Sequence, residues 1–238
     1  MDFPGPRRTE VKKSQAVLGA LLMAGLTGLL PGEARASGLE LRVGGFLPKL
    51  DSILFADSMT LYTVQKDDFN GWFGGGEFTF NVHPNVEMGL AVEGYAKEIP
   101  TVYRDYVRPS GNEIQQTLRF QTIPVSAIVR FVPSGRYRKV TPYIGGGFSA
   151  NFWEYEEWGD FIDFEAKGQP VYFDSFKSEG TAWGPMVNAG IRYRLNSDLQ
   201  ITADYRHFWG KETMDGDFRP NEIDVSGDAI TIGFRVTF

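Results

Sequence analysis

Eleven charged side chains fall on alternate positions of short segments: Glu40, Arg42, Glu77, Glu87, Glu93, Arg130, Arg192, Arg194, Asp204, Arg206 and Arg235. Each lies on the phase opposite its apolar neighbours, as Arg42 does between Leu41 and Val43. Five acids face six arginines, so the set nearly cancels. The planar guanidinium fork matches a carboxylate through two parallel hydrogen bonds. An isolated charge enclosed away from water costs several kcal/mol, so enclosed charges of this kind must pair. The chemistry this pattern predicts is ion pairing. It serves either as a structural plug or as a narrow conduit whose pairs exchange partners.

Other chemistries find little footing. The chain has no cysteine and two histidines. That leaves no thiolate chemistry, no disulfide framework and no zinc set, because His83 and His207 stand far apart along the chain. His83 precedes Pro84 in a turn. His207 is followed by Phe208-Trp209-Gly210 with no serine within three positions, so a deacylase-type His-x-Ser pattern is missing. Gly74-Gly75-Gly76 and Gly145-Gly146-Gly147 lack the helix and lysine of a phosphate loop. No enzyme, no cofactor and no metal site is expected.

The elements that would hold the charges in place are strands. From Ala229 to Phe238, apolar residues (Ile230, Ile232, Phe234, Val236, Phe238) alternate strictly with small or polar ones. Period two gives a strand one greasy and one wet face. The same alternation marks Leu39–Leu47, Trp72–Val82, Val86–Glu93, Ile123–Phe131, Thr141–Phe152, Val187–Leu195 and Leu199–Arg206. Leu118 and Phe120 break the phase upstream of Gln121, which predicts a bulge there. Tight turns at His83-Pro84-Asn85, Pro133–Lys139 and Asn196-Ser197-Asp198 alternate with long connections at about 48–71, 97–115, 153–182 and 209–228. Short and long links in strict alternation describe an all-β fold. It is an antiparallel up-and-down transmembrane barrel of eight strands, greasy outside and polar within. In-strand glycines would relieve the bending of so narrow a barrel.

Residues 1–36 read as an export signal: Arg7, Arg8, Lys12 and Lys13, an apolar run from Ala16 to Leu30, then Ala34-Arg35-Ala36. Cleavage is expected after Ala36, leaving 37–238 as the barrel domain. Losing five basic and three acidic leader residues from 24 and 30 leaves 19 against 27, a net charge of −8. That balance argues against a nucleic-acid partner.

The alternating strands, Pro142-Tyr143-Ile144-Gly145-Gly146-Gly147 and the terminal Phe234-Arg235-Val236-Thr237-Phe238 resemble the small eight-stranded outer-membrane proteins of the OmpA, OmpX and OmpW type. The resemblance covers residues 38–238. It implies a Gram-negative outer-membrane location with periplasmic termini, and partners in membrane lipid and lipopolysaccharide. It also implies that the barrel-assembly machinery reads Ile232, Phe234, Val236 and Phe238. No peptidoglycan-binding domain is expected after the barrel. Function is not implied, since such barrels serve many roles.

The longest connection mixes aromatics with acids, and Trp153, Tyr155, Trp158, Phe161 and Phe164 are candidates for a surface that meets an extracellular ligand. Its carboxylates could also bridge lipopolysaccharide through divalent cations, though no calcium-loop motif is present. Leu50–Val64 is unusually apolar and is expected to pack over the barrel mouth or line a hydrophobic way in.

Overall fold

The computed structural model describes residues 36–135 and 138–238. The expected leader lies outside them save Ala36, which opens the first strand. In chain order the elements are β1 (Ala36–Pro48), α1 (Ile53–Leu61), β2 (Gly71–His83), β3 (Val86–Val107), β4 (Glu113–Phe131), β5 (Val140–Ile162), β6 (Val171–Arg194), β7 (Leu199–Phe208), β8 (Lys211–Thr213), β9 (Glu222–Asp224) and β10 (Gly227–Val236). Eight of the strands close a ring in the order β1-β10-β7-β6-β5-β4-β3-β2, and every pairing is antiparallel. β8 and β9 form a separate hairpin.

Closure leaves the ring without an open edge at its base, and the period-two alternation sends one face of each strand outward. Leu41, Val43, Ile144, Phe148, Ile191, Ile230, Ile232 and Phe234 all stand exposed on the outer wall, Ile232 at 66%. An apolar belt this continuous is incompatible with a water-facing monomer and suits lipid. Trp72, Trp183 and Trp209 stand on the outer wall toward the loop end, and Phe131 and Tyr193 toward the turn end. Aromatic side chains with one apolar and one polar aspect favour such interfaces. Among the described residues no helix is long and apolar enough to cross a membrane.

The turns are short because their side chains close them. The Asn196 side-chain oxygen accepts from the Asp198 and Leu199 amides at 3.0 and 2.8 Å. Asn85 donates to the Val132 carbonyl at 2.7 Å, tying two turns together.

At the other end the strands run far beyond a bilayer. β3, β4, β5 and β6 have 22, 19, 23 and 24 residues, against the roughly 9–11 that span a membrane. Most of the two middle long connections is therefore strand, joined by short links at 108–112 and 163–170. The outer wall turns polar there: Lys177 pairs with Glu154 and Glu179 at 2.7 and 2.8 Å.

The phase change read as a bulge in β4 is corrected by the register. Residues 116–131 pair with β5 without a shift, and Leu118 and Phe120 share the inward face with Ser126 and Arg130. What changes at Gln121 is the content of the lumen, not the strand. The irregularity lies instead in the β3–β4 pairing between Val102 and Val107.

Candidate functional site

The lumen holds two chemically different layers. The first, on the turn-end side, contains the charged residues. Each comes from an inward position of its own strand, and ten of the eleven are buried: Glu40, Arg42, Glu77, Glu87, Glu93, Arg130, Arg192, Asp204, Arg206 and Arg235. Arg194, at the turn end of β6, is half-buried.

Glu77 is the hub. Arg42 and Arg206 reach its Oε2 at 2.7 and 2.6 Å, and Arg130 grips both oxygens, with Nη2 at 2.7 Å from Oε2. Arg206 then spreads its fork, giving Nη1 to Glu93 at 2.9 Å and Nε to Asp204 at 2.7 Å. Asp204 also accepts from the Tyr143 hydroxyl at 2.6 Å and the Asn188 amide at 3.2 Å. Glu40 sits 3.1 Å from Arg42 and accepts from Thr202 at 2.9 Å. Nearer the turns, Arg192 donates to Glu87 at 2.7 Å, with Arg235 at 3.5 Å from the same carboxylate. The guanidiniums of Arg192 and Arg130 both lie over the Tyr143 ring, 4.4 and 5.2 Å from ring centre to guanidinium carbon. Two glycines make this crowding feasible. A Cβ on Gly190 would stand 2.4 Å from the Tyr143 hydroxyl, and one on Gly145 2.6 Å from the Asn188 side-chain oxygen.

The second layer is aromatic. Phe46, Phe73, Tyr95, Phe120 and Phe208 are buried above the ionic network, with Phe46 against Phe73 at 5.4 Å and against Tyr95 at 5.0 Å. Helix α1 closes it. Phe55 enters a box of Phe69, Phe120 and Tyr155, with ring centres 5.4–5.6 Å apart in edge-on arrangements. Edge-to-face rings at this spacing gain about 0.5–1.5 kcal/mol each beyond their burial.

Polar groups latch the helix from above. Arg104 donates to the carbonyls of Met59 and Tyr62 at 2.9 and 2.8 Å, where the end of α1 leaves acceptors open. Glu157 accepts from Tyr155 at 2.6 Å and from Tyr62 at 3.3 Å. This carboxylate lies on the outer extension of β5, above the apolar belt. Burial holds its pKa above the usual carboxylate range, with the two tyrosine hydrogen bonds pulling the other way. Leu50, Leu54, Phe55, Tyr62 and Val64 are buried, so the apolar first loop folds into the mouth.

The expected surface of the long connection needs correction. Trp153 and Tyr155 point inward and are buried, because they continue the phase of Tyr143, Ser149 and Asn151. Trp153 donates to Glu212 at 2.7 Å, and Tyr155 walls the Phe55 box. Phe161 packs against Phe176 at 4.7 Å and is buried. Trp158 is half-buried, and Phe164 is exposed and edge-on to Tyr106. Ile232, Phe234 and Val236 project exposed on the outer wall, and Phe238, beyond the end of β10, is exposed and borders the turn-end cavity. His207 lies beside the belt, 2.6 Å from Asp228, which also takes the Tyr205 hydroxyl at 2.6 Å. Residues missed at sequence level are Tyr143, Asn188 and Thr202 in the ionic layer, and Phe46 and Phe73 above it. All lie on the inward phase, and that parity was the available signal.

An eight-stranded ring with an apolar outer wall and a filled polar-and-aromatic lumen defines a small outer-membrane β-barrel. The family described as "Outer membrane protein beta-barrel domain" matches residues 19–238, and the chain belongs to it. Among solved structures, OprG of Pseudomonas aeruginosa is similar at 15% identity and a TM-score of 0.53, covering 86% of this chain and 97% of that one. Neisserial surface protein A follows at 17% identity and 0.49, covering 87% and 100%. The outer membrane protein W of E. coli stands at 14% and 0.42, covering 87% and 100%. No curated protein matches the chain.

Proposed function

We propose that this barrel is a closed outer-membrane protein that presents the extended β3–β6 wall and its loops outside the cell, with its termini periplasmic. One observation carries the reading: the lumen is filled twice, by the Glu77-centred ion pairs and by the aromatic layer under α1. A structural plug fits carboxylates shared among several guanidiniums, as Glu77 is among Arg42, Arg130 and Arg206. On this reading the outer surface is where a partner or lipopolysaccharide would be met. The exposed residues for that role are Phe164, Tyr172 and Phe173, not Trp153 or Tyr155. Ile232, Phe234, Val236 and Phe238 serve the assembly machinery, and residues 1–36 direct export and are cleaved off after Ala36. The reading is tested by planar-bilayer conductance of the folded, heat-modifiable protein. Silence is expected, and discrete reproducible openings would overturn it.

A second reading has an observation of its own. The loop-end lumen is aromatic, and its cover is one short helix held by a few polar contacts. Passage of a small apolar solute beneath α1 would suit such walls. A disulfide locking α1 to β5 would then block uptake in proteoliposomes, whereas the closed-barrel reading expects no uptake with or without the lock.

A further inference from the structure

We propose that the cavity at the turn end of the barrel binds a small phosphate-type oxyanion. The cavity has a volume of about 280 Å³ and lies between the Asn196–Asp198 turn and the ends of β2, β6 and β10. Its charged lining is Arg192, Arg194 and Arg235 against Glu87 and Asp198. Asp198 is exposed on the turn, so the buried balance is two guanidiniums, Arg192 and Arg235, sharing the one carboxylate of Glu87.

Arg192 carries the argument. It is only 3% exposed, and its guanidinium stacks over the Tyr143 ring. Its Nη1 is spent on Glu87, while Nε and Nη2 are buried without a hydrogen-bond partner. A guanidinium has donors and no acceptor, so only an incoming acceptor satisfies these groups. A planar or tetrahedral oxyanion can take two parallel N–H bonds from one fork, which chloride cannot. Asn81 and Gln200 supply further side-chain amide donors around the cavity. Three guanidiniums against two carboxylate side chains favour an anion over a cation. The same chemistry could come from a free phosphate or from the phosphate of a lipid headgroup at the membrane face.

The test is calorimetric titration of inorganic phosphate into the folded full-length barrel in a maltoside detergent, at constant ionic strength with chloride as control. Saturable phosphate binding is expected that chloride does not reproduce. Arg192→Lys keeps the charge and loses the fork, and should weaken binding about tenfold or more. Glu87→Gln should tighten it, which keeps the test decisive if the arginine variant fails to fold. Repeating the titration in phosphatidylglycerol bilayers separates the sources: lost binding identifies the lipid headgroup, retained binding a free anion. Absence of saturable binding in detergent, or equal affinity in wild type and both variants, overturns the proposal.

Discussion

The two halves of the lumen solve one packing problem with opposite chemistry. Both are built from inward positions of the same strands, since β4 carries Arg130 and Ser126 below and Phe120 and Leu118 above without a change of register. Below, each side chain depends on partners from several strands, and Glu77 alone joins Arg42, Arg130 and Arg206. Above, the packing is non-directional, and its cover is a helix that the chain supplies from its first loop. The ionic half is therefore intolerant of losing any one member. The aromatic half tolerates change in proportion to the volume removed.

The largest effect should come from the hub. Glu77→Gln leaves Arg130 without its carboxylate in an enclosed space and takes one partner each from Arg42 and Arg206. It should cost about 3–5 kcal/mol, read as a fall in the urea midpoint of refolding into vesicles. An unchanged midpoint would mean the network adds nothing beyond filling space. Next is Phe55→Ala, which empties the aromatic box. A loss of about 3 kcal/mol is expected, concentrated in hydrogen exchange of α1 and not in the barrel strands. Uniform destabilisation of both would erase the distinction between the halves.

A smaller, pH-dependent effect should appear at the latch. Because the folded protein holds the Glu157 proton more tightly than the unfolded chain, its contribution is greatest in acid and is lost as pH rises through its raised pKa. Protection of α1 amides should thus decline between acidic and neutral pH, after correction for intrinsic exchange. Glu157→Gln should flatten that decline. The smallest effect belongs to the outer wall: Lys177→Ala breaks exposed pairs with Glu154 and Glu179 and should shift stability by about 1 kcal/mol or less.

The strands and their faces were legible because one face is apolar and the other is not. The ionic residues share that legibility, as charges on the phase opposite lipid-facing apolar side chains. Beyond the apolar belt the two faces exchange character: the outward positions turn polar (Thr117, Arg119, Glu154, Glu156) and the inward ones apolar, so the alternation inverts. Leu118 and Phe120 then imitate a bulge, and Trp153 and Tyr155 imitate a loop surface. Their parity with Arg130 and Tyr143 was the residual signal. Which residues fill the loop-end lumen was illegible for a further reason. Phe55 and Leu54 come from outside the barrel strands, and nothing in the first loop's own pattern states which wall it will meet. Arg104 gives no local sign of its role, since the carbonyls it caps lie more than forty positions earlier.

The most direct test of the doubly filled lumen is single-channel conductance of three proteins side by side: wild type, a variant lacking α1, and that variant with Glu77→Gln. Two independent seals predict silence for the first two and openings only for the third. Openings on removing α1 alone would contradict the account, because the ion-pair layer would then not close the barrel.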